Sequence, residues 1–211
     1  MHNGAVDKHE PTSAGLSDEQ LLQLHLSGQK GAFEALVERR SGELYRFLFR
    51  FLGDRALADD VLQETFLQVH MSADRFDSAR RFKPWLFTIA ANKARDALRS
   101  QSRRQAAALD AQISESGENS TAYIDLLQAK VDLPIEKLQN QELRDAVQKI
   151  VLEMPENLKE VLLLGYFQQM PYKEIAEVLD VPLGTVKSRL HAAVNYFARR
   201  WETMGKRFSN E

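Results

Sequence analysis

Apolar residues along the chain recur with a helical period, and no stretch alternates as a strand does. Ser17-Asp18-Glu19-Gln20 has the form of a capping box ahead of Leu21, Leu22 and Leu24, so a first helix begins there and Gly28 and Gly31 punctuate it. From Ala32 to about Leu52, Phe33, Leu36, Val37, Leu44, Phe47, Leu48 and Phe51 keep helical spacing and supply enough apolar area for a domain core. After Gly53-Asp54 the pattern predicts a helix over about 57–71, with Leu62, Phe66 and Val69 inward and Asp60, Gln63, Glu64 and Gln68 outward. That outer face suits either solvent or an Arg-rich partner. Residues 73–83 have no period, and Pro84 fits the first turn of a helix predicted over 84–104. This helix buries Leu86, Ile89, Ala90, Ala94 and Ala97 and turns Thr88, Asn92, Arg95, Arg99 and Arg103 the other way.

Residues 105–132 lose their bulky apolar side chains and read as a flexible acidic linker, with a short helix near 122–128. Leu133-Pro134 opens a second domain with helices over 136–152 and 156–167, broken at Met154-Pro155. Then comes a helix at 172–179, a break at Asp180-Val181-Pro182, and a further helix from Gly184-Thr185. On that last helix Val186, Leu190, Ala193, Val194, Phe197 and Trp201 share a face that must be buried. Its opposite side carries Lys187, Ser188, His191, Asn195 and Arg199, suited to phosphate oxygens and base edges. From pattern alone, the stretch is either a helix-turn-helix or a plain helical hairpin with a solvated face. The expected fold is all-α: a tail over 1–16, a helical domain over 17–104, the linker over 105–132, a second helical domain over 133–205 and a tail over 206–211.

Charge sharpens this picture. The formal net charge is only -2, yet residues 75–104 hold nine basic and two acidic side chains, and 183–208 hold six basic and one acidic. Residues 105–156, by contrast, hold four basic and ten acidic. Two cationic patches flanking an acidic connector point to two contacts with a polyanion. In the aperiodic loop, Arg75, Arg80, Arg81 and Lys83 alternate with Phe76 and Phe82, an arrangement that can hold a strand backbone and stack on unpaired bases. Aromatics of this kind are individually more often core than stacking residues, and about half of Phe76, Phe82, Trp85 and Phe87 are expected to be structural. With no Cys and five scattered His, disulfides, thiolate zinc sites and Cys nucleophiles are excluded and no cofactor or metal is expected. The start of the chain lacks a basic, then apolar, signal pattern and no apolar run could span a bilayer, so a cytoplasmic protein without membrane insertion is expected.

The stretch MPENLKEVLLLGYFQQMPYKEIAEVLDVPLGTVKSRLHAA resembles the fourth conserved region of bacterial sigma factors of the extracytoplasmic-function group. AFEALVERRSGELYRFLFRFLGDRALADDVLQETFLQVH, followed by DRFDSARRFKPWLFTIAANKARDALR, is similar to their second conserved region. The resemblance implies a non-enzymatic promoter-specificity subunit whose partners are core RNA polymerase, promoter DNA and an anti-sigma factor. Asp60, Gln63 and Glu64 would dock the clamp helices of the largest polymerase subunit, with further contact to the second-largest subunit. Arg80, Arg81, Phe82, Lys83, Trp85, Asn92, Lys93, Arg95 and Arg99 would engage the minus-ten element, one base flipping into a pocket built by the loop. Thr185, Lys187, Ser188, Arg189 and His191 would meet the minus-thirty-five duplex, and the acidic linker would thread the polymerase channels used later by RNA.

Some positions depart from the family's pattern. Ala192, Ala193 and Val194 follow His191 where cations are frequent, which implies a weaker or differently specific duplex contact. Gly165 replaces a common basic residue, Pro171 a Ser cap, and Asp180 a turn glycine. The competing reading is a stand-alone helix-turn-helix regulator, which has no need of the segment from Asp59 to Arg99. A nucleic-acid enzyme lacks support, since no carboxylate–His constellation, phosphate-cradling glycine loop or metal set is evident.

Overall fold

The structure is a computed structural model that describes residues 15–111 and 141–208. Residues 1–14 of the expected tail, 112–132 of the linker with its short helix at 122–128, the opening of the second domain through residue 140, and 209–211 lie outside the described residues. Among the described residues every regular element is helical. α1 (Asp18–Leu26) begins with the expected capping box: Gln20 donates its N–H to Ser17 Oγ (3.2 Å), and Ser17 donates its own to Gln20 Oε1 (2.8 Å). Asp18 is buried, pairing with Arg39 at 3.0 Å and with Arg40, which ties α1 to α2 (Ala32–Leu52).

α3 (Arg55–Met71) starts two residues earlier than the apolar pattern suggests, because Asp54 accepts the N–H of Leu57 at 2.9 Å and caps it. A 3₁₀ turn, Ala73–Arg75, follows. α4 (Phe82–Ala111) also begins before its expected start at Pro84, and the reason is remote in sequence. Glu19 of α1 accepts the Phe82 N–H at 2.8 Å and so satisfies an orphan donor from across the fold. Leu36, Leu44, Phe47 and Phe51 pack with Val61, Val69, Leu86 and Phe87 in the core of this half, Phe47 meeting Phe87 edge-on at 5.2 Å.

The second half comprises α5 (Gln141–Glu153), α6 (Glu156–Leu162), a π-helical turn Leu163–Phe167, α7 (Tyr172–Leu179) and α8 (Leu183–Phe208). The helix expected over 156–167 is therefore continuous but widened at its end, where Gln168 donates to Leu163 O at 3.1 Å. Between α7 and α8, Asp180 adopts left-handed backbone (φ 51, ψ 53), and Pro171 offers α7 no side-chain cap. The buried side of α8 is narrower than its sequence suggests. Val186 and Ala193 are fully buried, but Val194 is 53% exposed because α5, α6 and α7 all pack on the other side.

The halves pack on each other, a feature the sequence reading of two linked domains did not contain. Phe51 and Leu52 belong to one continuous apolar core with Val151 and Met154. Lys159, 7% exposed, donates to Phe51 O at 3.3 Å and sits over the Phe51 ring, while the Arg50 guanidinium lies 4.4 Å from the Phe167 ring centroid. Gly53 is needed twice at this junction. Its backbone is left-handed (φ 75), and a Cβ there would meet Leu152 Cδ2 at 2.7 Å. Gly53→Ala is expected to cost about 1–2 kcal/mol from the backbone alone, with additional clash against Leu152. Adding Leu152→Ala should then relieve part of that clash. Urea denaturation checks this, and an unchanged midpoint in Gly53→Ala contradicts it.

Candidate nucleic-acid interface

The loop from Phe76 to Arg81 and the exposed side of α4 form the first cationic surface. Arg80 and Arg81, with side chains 60% and 71% exposed, pair with Glu177 at 3.2 Å and Glu174 at 2.5 Å on α7. Phe82 is fully buried and packs edge-on against Phe76 (6.0 Å) and Trp85 (5.8 Å), so it props the loop from beneath instead of offering a stacking face. Trp85 is half-buried against Phe76 at 4.9 Å. Phe87 is core as well. Lys83 is held between halves, donating to Glu43 Oε1 at 2.5 Å and to Gln168 O at 3.1 Å. An open cleft of about 600 Å³ lies between α1, α2 and this loop, with Ser17, Glu19, Arg39, Arg40, Arg81 and Lys83 among its walls. Burial pushes the Glu19 carboxyl up, but hydrogen bonds, chiefly from the Phe82 N–H, and the Arg81 charge hold it below its ordinary value. It therefore stays an anion at the rim of a cationic cleft.

Further along α4, Asn92 is exposed and its Oδ1 accepts from Arg95 Nη2 at 2.7 Å. Arg99 is exposed beside Asp96, and Lys93 reaches Glu64 of α3 at 3.4 Å. On α3, Asp60, Gln63 and Glu64 form an exposed stripe that continues into two exposed apolar side chains, Leu67 (58%) and Met71 (68%). Their spacing of three and four places them on one line of the helix. That acidic, amide and apolar stripe faces away from the core residues of the same helix, Val61, Phe66 and Val69.

The second surface is the N-terminal half of α8. Lys187, Ser188 and His191 are exposed, Thr185 and Arg189 half-buried. Ser188 Oγ donates to Thr185 O at 3.0 Å, and His191 hydrogen-bonds Asn195 at 3.0 Å. At the helix start Thr185 and Val186 donate their N–H groups to Pro182 O at 2.8 and 3.2 Å, and the positive dipole end there favours phosphate.

Glu160 of α6 joins the two surfaces. Its side chain is 6% exposed, with Oε1 3.0 Å from Arg95 Nε, yet that oxygen has no hydrogen bond because Arg95 Nε–H donates to Ala91 O instead. Burial raises the Glu160 carboxyl to about 7, against the pull of Arg95 and, more weakly, of Arg189 and Arg99; Glu156 pushes the same way as burial. Residues expected at the minus-ten element and one expected at the minus-thirty-five element therefore share a carboxylate that sequence reasoning missed. A signal was present, since Glu160 shares a helical face with Leu163 and Leu164, which buries a charge.

The family model of Sigma-70 region 2 matches residues 36–104, and that of Sigma-70, region 4 matches residues 144–195. The ECF RNA polymerase sigma factor SigW of Bacillus subtilis is 32% identical over 164 residues, 78% of this chain and 86% of SigW. The ECF sigma-E factor of Haemophilus influenzae is 32% identical over 178 residues, 84% of this chain and 92% of that relative. The chain belongs to the extracytoplasmic-function group of the sigma-70 family. As a sigma factor it directs promoter recognition in transcription initiation. Among solved structures, CnrH in complex with the cytosolic domain of CnrY is similar with TM-score 0.63 and 25% identity, over 88% of this chain and 97% of that one. The sigma factor RpoE of Bartonella quintana, solved with the anti-sigma factor NepR, shares the fold with TM-score 0.58 and 21% identity, over 81% of this sigma factor and 96% of that chain.

The Glu160 environment has a measurable consequence. The folded sigma factor holds the Glu160 proton more tightly than the unfolded chain, whose ordinary value is 4.5. Stability from this group is therefore full below about pH 4.5 and is lost as pH rises through about 7. Glu160→Gln keeps the shape without the charge. The parent should match this variant near pH 4 and be less stable by about 1–3 kcal/mol near pH 8, as read by urea denaturation. A difference independent of pH contradicts this.

Proposed function

We propose that this sigma factor docks core RNA polymerase through the outer stripe of α3, opens the minus-ten element with the Phe76–Arg81 loop and α4, and reads the minus-thirty-five duplex with α8. The observation that carries this reading is the separation of chemistries: an acidic and apolar stripe on α3, a cationic loop and helix beside a cleft, and a cationic helix start in a helix-turn-helix. Asp60 and Glu64 supply carboxylates for Arg side chains of the clamp helices, and Gln63 supplies an amide. Leu67 and Met71 add apolar contact area at the edge of that patch, as anchors do in protein interfaces.

At the minus-ten element, Arg80, Arg81, Lys93, Arg95 and Arg99 neutralise phosphates of the opened strand, while Asn92 pairs with a base edge. Lys83 and Arg81 stand at the mouth of the cleft, which receives one flipped nucleotide. Unstacking costs a few kcal/mol per base, and phosphate neutralisation with aromatic contact at Trp85 offsets it. Phe82 acts indirectly by fixing the loop. At the minus-thirty-five element, Lys187, Ser188 and His191 enter the major groove, with Thr185 and Arg189 on the flanking backbone. The absence of cations at Ala192 and Val194 leaves this duplex contact modest. Membership of the family supports two further parts of the proposal, contact with the second-largest polymerase subunit and control by an anti-sigma factor, with all of this taking place in the cytoplasm.

Run-off transcription with core polymerase on a genomic promoter pool tests the whole reading. Specific transcripts are expected, and no core binding at low salt contradicts it. For the docking stripe, Asp60→Lys with Glu64→Lys should weaken core binding about tenfold, the scale of two reversed charges at an interface, with the helical circular-dichroism spectrum unchanged. Unchanged affinity with an intact spectrum removes the assignment.

A further inference from the structure

The loop assigned to the minus-ten element is held from a helix outside the matched region 2 segment, which starts at residue 36, whereas α1 ends at Leu26. Glu19, in the first turn of α1, accepts the Phe82 N–H on Oε1 at 2.8 Å, and Phe82 is where the loop ends and α4 begins. A carboxylate at that point meets a donor that the first turn of α4 leaves unpaired, beside the positive end of the helix dipole, in a charge-assisted bond.

Both partners are themselves fixed. The Glu19 carboxylate also accepts from the Ser17 hydroxyl and from its own N–H. Asp18 beside it is buried between Arg39 and Arg40 of α2, and Leu21 and Leu22 are in the core. On the loop side, the Phe82 ring is fully buried against Phe76 and Trp85. That ring sets the depth of the junction. The Glu19 bond sets the orientation of the Arg81–Phe82 peptide, and with it the direction in which Arg81 leaves the body. Within the loop, Phe76 donates its N–H to Ala73 O at 3.2 Å, Arg80 donates its own to Asp77 O at 2.9 Å, and Ala79 to Asp77 Oδ1 at 3.0 Å. These bonds close local turns and do not orient the loop against α4. Arg80 and Arg81 meet α7 through long, exposed side chains, which leaves their peptides free to turn.

We propose that Glu19 is a positioning residue for minus-ten recognition: by holding the Phe82 N–H it fixes the junction of loop and α4, so that Arg81 and Lys83, on either side of Phe82, frame the cleft in a set geometry. This rests on the promoter reading above. Glu19 acts through Phe82, so removing the bond lowers base discrimination at the minus-ten element even though every DNA-facing side chain is kept. α1 is thereby part of the promoter-reading unit.

The test compares wild type, Glu19→Ala and Glu19→Gln, the last of which keeps an acceptor oxygen without the charge. Each full chain, assembled with core polymerase, runs off a promoter recovered from the genomic pool, with every minus-ten position varied through the four bases. Glu19→Ala should lower the ratio of best to worst base about tenfold, the scale of one misplaced base contact, and Glu19→Gln should stay within about threefold of wild type. In the free chain, hydrogen exchange of the Phe82 amide, followed by nuclear magnetic resonance, should speed up about tenfold in Glu19→Ala and hold in Glu19→Gln. Should Glu19→Ala lose helical circular dichroism, Glu19→Met, which keeps the side-chain length without an oxygen acceptor, takes its place. Wild-type discrimination in Glu19→Ala, an equal loss in Glu19→Gln, or a loss without faster Phe82 exchange overturns the positioning role alone. Absence of base discrimination by the wild-type holoenzyme overturns the promoter reading and this role with it.

Discussion

A carboxylate taken out of water beside a guanidinium, Glu160 against Arg95, is the contact on which the rest of this arrangement depends. Desolvation works against it, and the attraction of Arg95, Arg189 and Arg99 only partly compensates, so the pair is a poor source of net stability. What it does provide is position. It ties α6 to α4 beside the packing of α7 on α4, in an arrangement that also has Glu174 and Glu177 meeting Arg81 and Arg80 and Lys159 reaching the Phe51 carbonyl. Apolar burial around Phe51, Val151 and Met154 supplies the adhesion that the charges do not.

This division of labour fits a sigma factor. A cationic loop with a half-buried Trp85 beside it attracts nucleic acid of any sequence. Glu177 and Glu174 of α7 meet two of its cations, Arg80 and Arg81, within the same chain. The acidic and apolar stripe on α3 lies on a different face and is exposed while the halves are packed together.

Much of the fold was legible because its helices carry strong local signals. The capping box at Ser17, the glycine stop at Gly53, and the Asp180-Val181-Pro182 break each act within a few residues, and each appears where the pattern predicts it. What was not legible depends on residues far apart in sequence. Glu19 sets the start of α4 from 63 residues away, and Phe82 reads equally as a stacking or a core residue until Phe76 and Trp85 are seen around it. The seating of one half on the other is the extreme case, since Glu160, Glu174 and Glu177 look like ordinary helix-surface acids in a linear reading, although the face that Glu160 shares with Leu163 and Leu164 held a hint. Exposure of Val194 has the same origin, because only the packing of α5, α6 and α7 decides which side of α8 is covered.

The central claim is that the two halves of this sigma factor pack into one body through the apolar contact around Phe51, Val151 and Met154 and the Glu160–Arg95 pair. Spin labels on Glu38→Cys and Lys173→Cys, one exposed site on each half, report their separation directly by double electron–electron resonance. A single short distance in the free sigma factor is the result predicted. A broad spread of long distances, as two independently tumbling domains give, would contradict the account.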